Sequence, residues 1–267
     1  MVVKSVMNDN VFFENIHIQR YQNGEWESII DSVLVEVPVA LIYNGYPHVV
    51  VMCTPNDIVD FVYGFSLTEG IIRSLNDIRS IDILPEAEGI EVAIEVEPLC
   101  VARIEGRKRQ MSARTGCGIC GIDSLTDVMR EQDKINFEFL MDEASIDRAL
   151  EDSSAFQVMN QKTGGAHAAF FVTKEGEILL TREDVGRHVA LDKLVGAMCQ
   201  KKIDAQAGFI LTTSRASFEM VQKAVAARVG LLVTMSAPTT MAIKLASRMN
   251  IKLAAFTRIG KINLYQG

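Results

Sequence analysis

Apolar and polar positions change rhythm twice along this chain. In the first hundred or so residues, short β-branched runs predominate. Residues 33–43 and 47–53 flank the turn Asn44-Gly45-Tyr46-Pro47, which predicts two strands joined as a hairpin. Ile58, Phe61, Val62 and Phe65 recur at helical spacing, with Thr54 as a capping residue and Pro55 at the first position, so a helix is expected over 55–73. Residues 78–84, 90–97 and 99–105 then read as further short strands.

Between 105 and 121 the rhythm disappears. EGRKRQMSARTGCGICG is polar, basic and rich in glycine, the composition of a long loop or linker, with a short helix expected near Asp123. Beyond it, helical and strand periods alternate. Helices are predicted over about 142–152, 186–199, 216–228 and 238–249. Strands are predicted over 166–173, 177–181, 207–212, 231–235 and 252–257, with a short one near 262–265. This alternation predicts an α/β sheet carrying helices on its faces. The organisation expected is a β-rich N-terminal domain with one helix (1–106), a loop (107–121) and an α/β domain (122–267), α+β overall.

Composition narrows the function classes. With 267 residues the chain supports a full hydrophobic core. A net charge of −7 argues against non-specific binding to nucleic acid or an anionic membrane. The most apolar early stretch is interrupted by Glu36, Pro38 and Asn44-Gly45, so no transmembrane segment is expected. MVVKSVMNDN has no export-signal pattern, and a reducing cytoplasm is the expected setting. Of the five cysteines, Cys53, Cys100 and Cys199 lie in apolar segments and read as small core residues.

Cys117 and Cys120 are different. A C-x-x-C pair serves as half a zinc site, as a dithiol redox centre, or as a nucleophile with a neighbouring thiol. No second pair occurs, and His17, His48, His167 and His188 are not spaced as zinc ligands, so no metal site is expected. A thioredoxin-like centre wants its thiols where a strand meets a helix, whereas the preceding residues here read as loop. Gly116, Gly118 and Gly121 bring backbone freedom, which suits a sulfur that visits two partners. Arg114, with Arg103, Arg107, Lys108 and Arg109 upstream, favours the reactive thiolate. Such a thiolate can accept sulfur as a persulfide and pass it on. A thiol–disulfide oxidoreductase using both cysteines is the alternative.

Three predicted strand-to-helix junctions carry polar residues: 179–193, 210–223 and 232–244. Helix N-termini suit phosphate, and if the strands are parallel the junctions share one edge of the sheet. Ser214 and Ser236 read as helix caps, with Pro238 in a first turn. Capping does not account for Arg182, Arg187 and Arg215 at the same kind of place. Arg187 heads the apolar stripe Leu191, Leu194, Met198 and so needs a partner such as phosphate or carboxylate. His188 and Asp192, four residues apart, are placed to hydrogen-bond. TGGAHAAF adds a glycine-rich turn and His167. No P-loop or Rossmann fingerprint occurs at these junctions.

RTGCGICG, TGGAHAA, TREDVGRHVALDKLVG, SRASFEMVQKA, SAPTTMAIKLA and AFTRIGK, in this order, resemble the FdhD/NarQ family of formate dehydrogenase accessory proteins. The resemblance implies a sulfurtransferase that carries sulfur for the molybdenum cofactor. A cysteine desulfurase would load Cys117, and the sulfur would pass to molybdenum bis(molybdopterin guanine dinucleotide) before that cofactor enters formate dehydrogenase. It also implies a homodimer and a cytidine-deaminase-like, three-layer core that binds the cofactor at the sheet edge. Cofactor contacts are expected from Phe256, Thr257, Arg258, Ile259, Gly260 and Lys261. Further contacts are expected from His167, Arg182, Asp184, Arg187, His188, Arg215, Ser217 and Ser236, with Cys120 assisting Cys117. Ser214 and Val189 replace the family's usual glycine and asparagine. Deaminase chemistry does not follow: His167 is followed by Ala168-Ala169, without the H-x-E acid/base or a later P-C-x-x-C.

Overall fold

The computed structural model describes residues 2–4, 12–108 and 132–265; Cys117, Cys120, Arg114 and the helix expected near Asp123 lie outside them. Five strands, β1 (Val2–Lys4), β4 (Val37–Tyr43), β5 (Tyr46–Cys53), β6 (Ile78–Glu86) and β7 (Gly89–Val96), form one sheet in the order β1-β6-β7-β4-β5. The turn between β4 and β5 has the expected form. Asn44 and Gly45 both take positive φ, 48° and 78°, as a two-residue hairpin turn matched to strand twist requires. Helix α1 (Ile58–Thr68) lays Ile58, Phe61 and Val62 on the sheet with Val39, Leu41, Ile81 and Val92.

Four expectations for this half are corrected. Residues 33–43 are two strands, because the chain breaks at 35–36 between β3 (Glu25–Leu34) and β4. The helix begins at Ile58 rather than 55, with Asp57 as its N-cap, and Thr54 serves a different purpose described below. Residues 99–105 lie in helix α2 (Pro98–Lys108): Pro98 suits a first turn, and Cys100 and Ile104, one helical turn apart, are both buried. The fourth is an omission. β2 (Phe13–Gln22) and β3 make a separate two-stranded hairpin, turned at Asn23-Gly24 with φ 55° and 93°.

The second sheet runs β13-β12-β11-β10-β8-β9. Its strands are β8 (His167–Thr173), β9 (Ile178–Asp184), β10 (Gly208–Thr212), β11 (Leu231–Thr234), β12 (Lys252–Arg258) and β13 (Lys261–Tyr265). The central strands carry near-continuous apolar runs because both faces are covered. On one face, Phe171, Ile210, Leu232 and Leu253 pack against α5 (Arg187–Gln200), α6 (Phe218–Ala226) and α7 (Thr240–Met249). On the other, Phe170, Val172, Phe209, Leu211 and Val233 meet α3 (Glu143–Ser153) through Ile146 and Ala149. The short helix α4 (Val158–Thr163) precedes β8. The order and approximate bounds predicted for this half match these elements.

Helix α5 is buried from Val189 to Met198, because α1 covers the side that the sheet leaves open. The two helices touch backbone to backbone. A Cβ on Gly196 would stand 1.9 Å from the Asp60 carbonyl oxygen, and one on Gly64 would stand 1.7 Å from that of Asp192. Two buried ion pairs flank the crossing. Lys193, fully buried, donates to Asp184 (2.7 Å), to the Thr54 carbonyl (2.9 Å) and to Asn56 (3.2 Å). Asp184 also accepts from the Thr54 and Gly186 amides, and Thr54 Oγ1 accepts from the Val185 amide. Lys223 donates to both Asp192 oxygens, and Thr68 Oγ1 donates to Oδ1 at 2.6 Å. The two sheets are thereby joined through α1, α5 and α6.

Candidate functional site

β10, β11 and β12 run parallel, and β9 points the same way because β8 is antiparallel to both β9 and β10. The ends of these four strands lie along one edge, and β8 starts there, with His167 opposite Asp184. The three predicted junctions, the TGGAH turn and the β12–β13 turn therefore meet at a single edge, which is where open α/β sheets bind ligands.

Helix α5 opens at this edge after Gly186, with no side-chain cap, and its first residue is Arg187. The Arg187 Nε is buried without a hydrogen-bond partner, and the guanidinium is paired with no described carboxylate. A half-buried, unmatched cation beside free helix amides is the strongest anion-binding feature of the edge. Its charge reaches both neighbouring histidines. Burial, then Arg187, lowers the pKa of His167. His188 falls to about 3, through burial first, then Arg187 and Lys223, with Glu69 opposing. Both shifts favour the neutral ring. His167 Nδ1 lies 3.5 Å from Thr213 Oγ1, and His188 Nε2 lies 3.0 Å from Glu219 in α6.

The next two helices start side by side. Ala216 and Pro238 form a parallel bridge, with the Ala216 amide on the Ala237 carbonyl and the Thr239 amide on the Ala216 carbonyl. Ser217 caps α6 by accepting from Met220, and Thr239 caps α7 by accepting from Ala242. They border a shallow depression of about 270 Å³ lined by Ser217, Phe218, Glu219, Thr239, Thr240 and Met241. The caps thus fall three residues beyond the expected Ser214 and Ser236. Ser214 is buried, sharing a hydrogen bond with Thr212 and donating to the Arg215 carbonyl. Ser236 accepts through its carbonyl from Thr234 and from the Phe256 amide. Arg215 is exposed beside them.

The Phe256–Lys261 segment closes the edge. A register shift between Ala255 and Arg258, with Phe256 at φ 53°, turns Phe256 outward at 45% exposure, and Ile259 is 59% exposed. Thr257 is fully buried, its hydroxyl without a partner. Arg258 donates to the Met235 and Thr257 carbonyls, and the Gly260 amide donates to Asp147 in α3. Lys261 is exposed.

Two candidates point away from this edge. Arg182 pairs with Asp60 at 2.5 Å and Asp57 at 3.6 Å, against α1. Asp184 is consumed by Lys193 and two amides, so it has no oxygen for a ligand. His188 does not pair with Asp192, because Lys223 and Thr68 occupy that carboxylate; its partner is Glu219. Glu219, Lys223 and Thr213 went unread. An acidic residue in the first turn of a helix also complements the helix dipole, so its type alone does not mark Glu219 as part of a site. Among the described residues no three His, Cys, Asp or Glu side chains converge as a metal site.

The family model for FdhD/NarQ matches residues 34–267, which includes every element of this edge. The chain belongs to the FdhD/NarQ family. The match begins at the last residue of β3, so most of the β2–β3 hairpin precedes it. A relative from Bordetella petrii, named sulfur carrier protein FdhD, is 43% identical over 235 residues, 88% of this chain and 84% of its own. One of the same name from Variovorax paradoxus is 43% identical over 248 residues, 93% of this chain and 87% of its own. A crystal structure from Desulfotalea psychrophila, described as a formate dehydrogenase accessory protein, superposes with a TM-score of 0.74 at 20% identity. It covers 96% of this chain and 97% of that one, and shares the fold. No described helix is long and apolar enough to cross a membrane.

Proposed function

We propose that this protein is a sulfur carrier that serves formate dehydrogenase. It takes sulfur from a cysteine desulfurase onto Cys117 and delivers it to molybdenum bis(molybdopterin guanine dinucleotide) held at the sheet edge. The observation that carries the nucleotide half is Arg187, a half-buried cation with an unpartnered Nε at the uncapped start of α5. Phosphate supplies the charge and the acceptor oxygens that this group lacks. Exposed Phe256 and Ile259 present apolar surface farther along the same edge, and Arg215 and Lys261 add positive charge there. The names of the relatives support the sulfur half.

In the loading step the Cys117 thiolate attacks the outer sulfur of the desulfurase persulfide. A new S–S bond forms on Cys117, and the desulfurase cysteine leaves as thiolate. For release, the Cys120 thiolate attacks the Cys117 sulfur. A Cys117–Cys120 disulfide forms and hydrosulfide leaves for the metal, the two electrons coming from the cysteine pair. A reductant of the thiol class then restores the dithiol.

The test is intact-mass analysis of the whole protein after incubation with a cysteine desulfurase and cysteine. One added sulfur is expected on the wild type and on variants of Cys53, Cys100 and Cys199, and none on Cys117→Ser. Absence of sulfur from every cysteine would remove the carrier reading. Reduction of insulin disulfides with equal dependence on Cys117 and Cys120 would favour an oxidoreductase instead.

A further inference from the structure

His188 and Glu219 meet where the first turns of α5 and α6 approach each other, with side chains 32% and 22% exposed. A neutral imidazole carries its proton on only one nitrogen. A Glu219 carboxylate oxygen lies 3.0 Å from Nε2, and a negative charge on that side of the ring favours the neutral tautomer that carries its proton on Nε2. Nδ1 is then a bare acceptor, and it bonds to no described residue. Arg187, Lys223 and His167 disfavour a second proton on the ring, against the pull of Glu69 and Glu219. His167 has a different neighbour. Its Nδ1 lies 3.5 Å from Thr213 Oγ1, which also accepts from the Ala168 amide at 3.0 Å, and a hydroxyl can act as donor or acceptor toward that nitrogen. One edge therefore offers a cation and two imidazole rings.

We propose that Glu219 is a positioning residue that holds His188 in its Nε2–H tautomer. His188 Nδ1 then accepts a hydrogen bond from a hydroxyl or ring N–H of a nucleotide whose phosphates lie at Arg187. This rests on the nucleotide reading above and adds a polarity to it. A group that carries only acceptors is rejected at His188, because two lone pairs would face each other.

The experiment uses the full chain with ¹⁵N-labelled histidine, with the His188 signals assigned through His188→Gln. Ring-nitrogen spectra and calorimetric binding of guanosine diphosphate are recorded for wild type, Glu219→Ala and Glu219→Gln. The wild type is expected to show His188 protonated at Nε2. Glu219→Ala is expected to shift the ring nitrogens toward a tautomer mixture and to weaken binding on the order of tenfold, one lost oriented hydrogen bond. Glu219→Gln, whose amide oxygen still accepts from Nε2–H, is expected to preserve both. A residue needed only for folding would lower the melting temperature without moving the ring nitrogens. Protonation at Nδ1 in the wild type, or an unchanged His188 spectrum in Glu219→Ala, would overturn the assignment. If the wild type fails to bind guanosine diphosphate, the nucleotide reading falls, and the spectra alone decide the role of Glu219.

Discussion

Lys193→Met isolates the join between the two sheets. Lys193 and Asp184 are both fully buried, and the ammonium makes hydrogen bonds to Asp184, Thr54 and Asn56. The Met side chain fills most of the volume but leaves a buried carboxylate without its counter-charge. Breaking a buried pair from one side costs about 3–5 kcal/mol. For a chain of this length that is a fall of about 10 °C in melting temperature. Burial already raises the pKa of Asp184, and Lys193 pulls it down. Without Lys193 it rises further, so the folded state binds a proton that the unfolded state does not. Stability of the variant therefore falls as pH rises from about 4, the unfolded value, through the raised folded value. The deficit against wild type is then larger at pH 8 than at pH 5. Adding Asp184→Asn removes the stranded charge and should recover at least half the loss. Urea unfolding monitored by circular dichroism, over a double-mutant cycle at both pH values, measures each quantity. A single-variant cost under about 1 kcal/mol, or strict additivity of the two substitutions, would refute the claim that this pair joins the sheets.

Gly196→Ala forces a methyl group to within 1.9 Å of the Asp60 carbonyl oxygen, so α1 must move off α5. A loss of about 3 kcal/mol, the upper end for overpacking, is expected in thermal unfolding, whereas Gly24→Ala, with open space around it, should show only the strain of its positive φ. His188 makes wild-type stability fall in acid. Its folded pKa, about 3, lies below the ordinary value, so the unfolded chain binds the extra proton. Stability from this group is complete above about pH 6.5 and declines as pH falls toward 3. His188→Gln should flatten that part of the pH–stability curve, and an unchanged slope would contradict the neutral, half-buried ring.

Local periodicity was enough for most of the elements. The alternation beyond residue 140 places each strand and helix of the second sheet within a few residues, because strands covered on both faces leave uninterrupted apolar runs. The turn chemistry of Asn44-Gly45 was equally legible. Asn23-Gly24 carries the same signal, and the polar, exposed ribbon around it masked the hairpin. Residues 99–105 resemble a strand only because one helical face is short. Motif order alone was enough for the resemblance to the FdhD/NarQ family.

Partner choice among charged groups was beyond local reading. Arg182, Asp184 and Arg187 sit within six residues, and nothing nearby separates their roles. Arg182 is turned toward α1, Asp184 is taken by Lys193, and Arg187 meets no carboxylate among the described residues. The cause is α1, a helix from the other half of the chain, which approaches α5 closely enough at Gly64 and Gly196 to exclude water. Burial decides which charges must neutralise one another, and a charge left without a partner among the described residues is the one open to a ligand. Sequence determined the elements and the chemical types on the edge; long-range packing determined which of those groups remain free.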